Sequence, residues 1–434
     1  MALGGGGFTS YNKVLPGTYI NFISSSSVSH TVGDRGVCAV SLPLSWGAEG
    51  EMFAVTAEEF MTNSTKHFGY GYTHNKMKQL RDLFMNASLV YVYRLGEGTK
   101  AANTFGTARY SGVCGNDIKI RIAKNLDDEA YFDVTTYYKG IKKDLQKVKA
   151  MADLDDNDFI IWDKTAALAV AGSLNMTGGT DATVTGEDYQ KFLDASESVR
   201  FNTLAVATTD DAVNSLVAAY TKRMREERGI KFQSVLYKCE ADDIGVINVD
   251  TQVKDDNFGE ESLVWFVAGA TAGCAINKSL TNRVYDGCFE IVSKYTQSQL
   301  EEGIAKGRFM LHAVDGEYRV LSDINSLVNT TAELGEVFCE NQTVRIVDQI
   351  AYDDATLFKT KYLGCVPNDE AGRLSLWNDI VEHRKSLQRM RAIENFKDED
   401  VVVEKGSTKT SVIISGVICP INSMSQLYIT TEVE

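Results

Sequence analysis

Residues 202–249 read NTLAVATTDDAVNSLVAAYTKRMREERGIKFQSVLYKCEADDIGVINV. Asn202-Thr-Leu-Ala-Val-Ala-Thr208 predicts a strand, and a helix follows from Asp210 to near Glu227. Its last turns carry Lys222, Arg223, Arg225 and Arg228, cations that complement a helix C-terminus, and Gly229 is a natural terminator. These cations could also serve a subunit contact. Phe232 to Lys238 and Gly245 to Val249 predict two further strands. Strands alternating with a helix point to a layered α/β domain.

Upstream, Leu89-Val-Tyr-Val-Tyr-Arg94 predicts a strand that leads into residues 96–183, a β-rich unit. There Asp117-Ile-Lys-Ile-Arg-Ile122 alternates apolar and polar residues, and 130–138 is dense in β-formers. The unit ends at the turn-rich Thr177-Gly-Gly-Thr-Asp181 and reads as an insertion into the α/β domain. Downstream, residues 264–276 are the most apolar stretch. They fall short of the roughly 18–20 residues of a membrane span and predict a buried strand running into a helix. A last α/β stretch begins near Thr343.

Both ends predict extended arms. Leu15-Pro-Gly-Thr-Tyr-Ile-Asn-Phe-Ile23 follows a run of four glycines, Gly4 to Gly7. Near the other end, residues 411–418 and 426–433 are strand-like. In the second, Leu427, Ile429, Thr431 and Val433 fall on one face, and Gln426, Tyr428, Thr430 and Glu432 on the other. The glycine run, Ser24 to Ser27, Gly406 and Gly416 are expected hinges. The fold class is therefore multidomain α/β and β: a mixed α/β core, an inserted β-rich domain, and extended N- and C-terminal strand arms. The expected divisions are 1–24 (arm), 25–95 with 184–342 (discontinuous middle domain), 96–183 (insertion), 343–409 (C-terminal α/β domain) and 410–434 (arm).

Composition narrows the function. The chain has 434 residues and a net charge of −15. That charge disfavours a broad nucleic-acid surface. The N-terminus lacks the cationic start and apolar stretch of a signal peptide. None of the eight cysteines forms a C-x-x-C pair, so they are expected to be buried free thiols in a reducing compartment. No phosphate-binding G-x-x-x-x-G-K-[ST], H-E-x-x-H or G-x-S-x-G motif is present. His67 and His74 flank the loop Phe68-Gly-Tyr-Gly-Tyr72 without a third ligand nearby in sequence. No cofactor, metal or catalytic residue is expected. Were the chain an enzyme assembled from distant residues, that loop would be its best cleft.

A second basic stretch spans residues 374–393. At 100° per residue, Leu376, Trp377, Ile380, Leu387 and Met390 share one face, with Asn378, Glu382, Lys385 and Arg389 opposite. From Glu382 to Arg391 there are four cations (Arg384, Lys385, Arg389, Arg391) and one anion, a net +3 island in an acidic chain. A solvated face explains it; so does an acidic partner.

Several stretches together resemble a contractile phage-tail sheath protein of the compact type found in Gram-positive phages and phage-like bacteriocins. They are residues 223–236, Gly245-Val-Ile-Asn-Val249, Val267-Ala-Gly-Ala-Thr-Ala-Gly273, Asn277-Lys-Ser-Leu-Thr281, Asp323-Ile-Asn-Ser-Leu327, Val344-Arg-Ile-Val-Asp348 and Tyr362-Leu-Gly364. Leu15 to Phe22 and residues 108–117 match as well, whereas Cys365 stands where a basic residue is common. The resemblance implies a non-enzymatic subunit assembled in the host bacterial cytoplasm into a virion or bacteriocin tail. Six copies would form a ring around a tail tube, and the rings would stack and contract. It implies that the insertion lies outside and the C-terminal region nearest the tube. The implied partners are further copies, the tail tube protein, and the baseplate and tail terminator proteins, with no nucleic acid and no membrane insertion. The arm residues Tyr19, Ile20, Asn21, Phe22, Leu427, Tyr428, Ile429, Thr431 and Val433 would pair between subunits, and Arg384, Lys385 and Arg389 would face the tube. A static shell protein would share the polymerisation but form one lattice only.

Overall fold

The computed structural model describes residues 35–433. Its centre is a seven-stranded sheet in the order Arg308–Phe309, Val246–Val249, Gln233–Tyr237, Thr203–Val206, Val37–Leu42, Leu89–Arg94, Met52–Thr56. All neighbours are parallel except the last pair, which is antiparallel. Parallel strands are covered on both faces and so read as continuous apolar runs rather than alternating ones. Val37–Leu42, Thr203–Val206, Gln233–Tyr237 and Val246–Val249 are each buried along their whole length.

Successive side chains of Val37–Leu42 feed two cores. Cys38, Val40 and Leu42 pack with the helices Leu263–Gly273 and Lys78–Phe84. Val37 and Ala39 pack with Gly186–Ser196 and Asp211–Glu226 on the other face. The Asp211–Glu226 helix starts at Asp210, whose carboxylate accepts the Ala212 N–H at 2.8 Å.

The stretch 264–276 departs from its expectation. It is helical from Leu263 to Gly273, with no strand before the helix. A continuous apolar run does not distinguish a buried strand from a helix buried all round. Gly269 lets this helix press against its neighbour, because a Cβ there would overlap the carbonyl oxygen of Leu83.

Between Lys100 and Asn175 the chain forms two further sheets around a core of their own. One has the order Ala171–Asn175, Ile118–Lys124, Phe132–Tyr138, Ile141–Val148; the other is Lys100–Asn103, Gly106–Ser111, Ile160–Trp162. Ile118, Ile120 and Ile122 point inward while Lys119 and Arg121 are exposed, the alternation of a one-sided sheet.

The last third packs Asn341–Leu357 and Glu370–Arg389 with the hairpin Val401–Lys405/Val412–Gly416. Residues 411–418 are thus largely a strand paired within the chain. Gly406 belongs to the hairpin connection, its N–H bonded to Ser411 O at 2.8 Å, and Gly416 ends the second strand. Residues 423–433 have no strand partner among the described residues. Gly4 to Gly7, Ser24 to Ser27 and the arm residues Tyr19, Ile20, Asn21 and Phe22 lie outside the described residues.

Candidate assembly surfaces

The helix Glu370–Arg389 is capped by Asp369, which accepts the Gly372 N–H at 2.8 Å. Leu376, Ile380, Val381 and Leu387 are its buried stripe, and Arg384 is buried with them. Arg384 forms a two-pronged ion pair with Asp354 on the Asn341–Leu357 helix. It also donates to His383 Nδ1 at 2.6 Å. A guanidinium has only donors, so Nδ1 must accept and Nε2 carries the proton given to Asp353 at 2.9 Å. This network joins two helices of one subunit, which corrects the expectation that Arg384 faces a partner.

The other two named cations stay at the surface. Lys385 pairs with Asp398 at 2.7 Å, and Arg389 with Glu382 at 2.7 Å, the latter with both side chains about two-thirds exposed. Three of the island's four cations, Arg384, Lys385 and Arg389, are therefore paired with Asp354, Asp398 and Glu382. Exposed pairs contribute about 0–1 kcal/mol, so Lys385 and Arg389 can exchange partners at little cost. Met390, expected on the apolar face, is exposed beyond the end of the helix.

Two buried ion pairs fasten the Asn341–Leu357 helix to the central sheet domain. Arg345 Nη2 meets Asp323 Oδ2 at 2.6 Å, with side chains 1% and 0% exposed. Arg225 grips Asp348 through both nitrogens, at 2.6 and 2.8 Å. Burial alone would raise the Asp323 carboxyl, but Arg345 and neighbouring donors outweigh it and hold it below the usual carboxylate range. Neither pair was anticipated, although Arg225, Asp323, Arg345 and Asp348 all lie in the quoted stretches.

Among the described residues, the C-terminal segment is tied down at its root. Gln342 donates to Ile421 O at 2.9 Å and accepts from the Ser423 N–H and hydroxyl at 3.0 Å. Beyond Ser423 the chain has no regular secondary structure; Met424 is fully exposed, and Leu427 82%, Tyr428 86%, Ile429 75% and Val433 91% exposed. Thr431 is exposed too. The hairpin Val401–Lys405/Val412–Gly416 presents Val402, Ile413 and Ile414 to solvent, and both its strands lack an outer partner among the described residues. Beside it is a cavity of about 470 Å3 lined by Phe358, Leu363, Val366, Leu376 and Val412. Open strand edges next to unburied apolar side chains are templates for a further strand.

Four family models match in sequence order. They are the Gp18 tail sheath protein domain III N-terminal region (35–95), the phage tail sheath protein beta-sandwich domain (96–181), the phage tail sheath protein central domain (182–326) and the phage tail sheath C-terminal domain (333–434). The chain is 30% identical to the phage-like element PBSX protein XkdK of Bacillus subtilis, over 99% of this chain and 100% of that one. The chain belongs to the phage tail sheath family. Its fold matches the crystal structure of the sheath tail protein from Desulfitobacterium hafniense with a TM-score of 0.80 at 33% identity, covering 95% of this chain and 99% of that one. It shares the fold of the helical sheath of the anti-feeding prophage in its contracted state, with a TM-score of 0.59 at 12% identity over 97% and 99% of the two chains.

In this sheath subunit the loop Phe68 to Tyr72 joins the insertion to the core. Tyr138 and Lys139 donate to the Gly69 carbonyl at 2.6 and 3.0 Å. Arg94, buried at a strand end, ties the same junction through Leu44 O and Ser111 O at 2.9 and 3.1 Å. Among the described residues, no group of three or more His, Cys, Asp and Glu is placed to hold a metal. Nor is any described helix long and apolar enough to cross a membrane.

Proposed function

We propose that this sheath subunit polymerises as stacked hexameric rings around a tail tube and contracts to drive the tube through a target envelope. The observation that carries it is the C-terminal segment, rooted at Gln342 and then carrying five large apolar side chains, Met424, Leu427, Tyr428, Ile429 and Val433, into solvent. Burying each fully would contribute about 1.5–3 kcal/mol, which a neighbouring subunit's sheet edge supplies. In this reading, residues 1–24 and, of the expected arm 410–434, the part beyond the internally paired Val412–Gly416 and the root at Ser423 keep neighbours connected. Lys385 and Arg389 face the tube, while the baseplate and tail terminator proteins close the two ends. Assembly takes place in the bacterial cytoplasm, without an enzymatic step or a cofactor. The driving energy is a packing difference between two arrays, summed over copies.

Negative-stain electron microscopy of the purified full chain across a salt series tests the proposal. Hollow striated cylinders are expected, and co-expression with the tail-tube protein should give tube-filled ones. A chain that stays monomeric beside its tube would overturn it. Full-length similarity to a phage-like element's protein favours a second reading, a capsidless bacteriocin-like particle. Native particles lacking capsids would select it.

A further inference from the structure

A small cavity lies where the sheet meets the Asn341–Leu357 helix. It measures about 20 Å3 and is lined by Arg35, Arg200, Lys231, Arg345, Asp348 and Tyr352 among others. Arg35 precedes the strand Val37–Leu42, Arg200 precedes Thr203–Val206, and Lys231 precedes Gln233–Tyr237. Three strand starts thus bring cations to one point, opposite a fourth on the helix.

Among the described residues the charges do not cancel: the lining has four cations and one carboxylate, Asp348, already held by Arg225 on both oxygens, and Asp323 outside the lining answers Arg345 alone. Arg345 uses Nη2 for Asp323 and Lys278 O, but its buried Nε and Nη1 have no hydrogen-bond partner. Arg35 Nε is also buried without one. Among the described residues, Arg35 Nη2 reaches only Thr271 O, at 3.4 Å, and Lys231 only Arg225 O, at 2.7 Å. The Arg200 guanidinium lies over the Tyr352 ring. Burial first, and then the nearby Arg345, push the Arg35 guanidinium down to about 10.

Buried guanidinium nitrogens without a hydrogen-bond partner are costly, and a local excess of positive charge needs a counter-charge. Water would supply lone pairs but no charge. One water needs roughly 10–15 Å3 by the same measure, so the cavity admits one small particle rather than a phosphate. We propose that this cavity binds a single monovalent anion of halide size, fastening the C-terminal helix to the sheet.

The test uses the full chain at fixed ionic strength, with sodium gluconate exchanged stepwise for sodium chloride or bromide. A saturable rise in Tm with either halide is expected. Crystals grown in bromide should show an anomalous peak beside Arg345 and Arg35. Lys231→Gln and Arg35→Gln should lose most of the halide-dependent rise. In gluconate alone both should be at least as stable as the wild type, because each removes a like charge from an unneutralised cluster. A merely structural role would instead lower Tm in both salts. Tm independent of halide, a cavity holding only water in bromide crystals, or a protein carboxylate seated there would each overturn the proposal.

Discussion

Replacing Asp323 with Asn removes the negative half of the most deeply buried ion pair and almost none of the volume. Asp323 Oδ2 accepts from Arg345 at 2.6 Å and from the Leu280 N–H at 2.9 Å, and Oδ1 accepts from Asn341 Nδ2 at 3.0 Å. These three are donors, and the Ser279 hydroxyl donates to Oδ2 at 3.4 Å as well, so the new amide nitrogen meets a donor whichever way it is turned. Stranding one member of a buried pair costs roughly 3–5 kcal/mol. Breaking the exposed Arg389–Glu382 pair with Arg389→Gln costs about 0–1 kcal/mol and is the control. The assay is urea unfolding followed by tryptophan fluorescence, which reads Trp265 in the central core and Trp377 in the C-terminal one. With a slope of about 3 kcal/mol/M, the Asp323→Asn midpoint should fall by about 1–1.7 M. Asp323→Leu with Arg345→Met should recover much of the loss, since replacing both partners by apolar groups is often neutral. The folded carboxyl titrates below its ordinary value. Its contribution is therefore complete above the unfolded pKa of about 3.9 and is lost as pH falls through the folded one. The gap between wild type and Asp323→Asn should hold from pH 8 to 5 and close only below about pH 4. A midpoint shift no larger than the Arg389→Gln control would refute the reasoning.

Deleting residues 424–434 should leave a soluble chain with wild-type unfolding in urea that forms no cylinders by electron microscopy; normal cylinders would remove the arm from the assembly. The double change Lys385→Glu and Arg389→Glu should yield contracted or empty cylinders on co-expression with the tube protein while leaving stability within about 1 kcal/mol, because both pairs are solvent-exposed. Gly269→Val should lower stability by about 1–3 kcal/mol or more, as its side chain drives into the Leu83 backbone, and calorimetry would register it.

The sequence makes visible those elements whose period or capping is local. The buried strands 203–206, 233–237 and 246–249 announce themselves as apolar runs, and Asp210 marks the start of the helix between the first two. Strand 118–124 shows its one-sided burial in every second residue. Residues 264–273 carry no period at all, being apolar on every side, and were open to either assignment. Charge was the least legible quantity. Arg384 and Lys385 look unmatched along their own helix, yet Asp354 lies thirty residues before Arg384 and Asp398 thirteen after Lys385. Both carboxylates reach them only through tertiary packing. The alternation of 426–433 is real, but an alternating segment becomes a strand only beside a partner, and a single chain supplies none among the described residues.

The proposed contraction makes opposite demands on contacts inside and between subunits, and the structure separates them by burial. A subunit that swings outward must keep its own shape, and its internal joints are desolvated. Arg345–Asp323 and Arg225–Asp348 fasten the C-terminal helix, Arg384–Asp354 fastens the two last helices, and Arg94 with Gly69 fasten the insertion. Each buried ion pair costs several kcal/mol to break halfway, because a charge would be left without water or partner. The groups assigned to neighbours are the reverse. Lys385 and Arg389 lose at most about 1 kcal/mol on changing partners. In the proposed array the C-terminal segment pairs with its neighbour through backbone and apolar contacts, and it rotates about its root at Gln342 without unpairing. A sheath built this way can trade one array for another without any joint inside a subunit approaching the energy needed to open it.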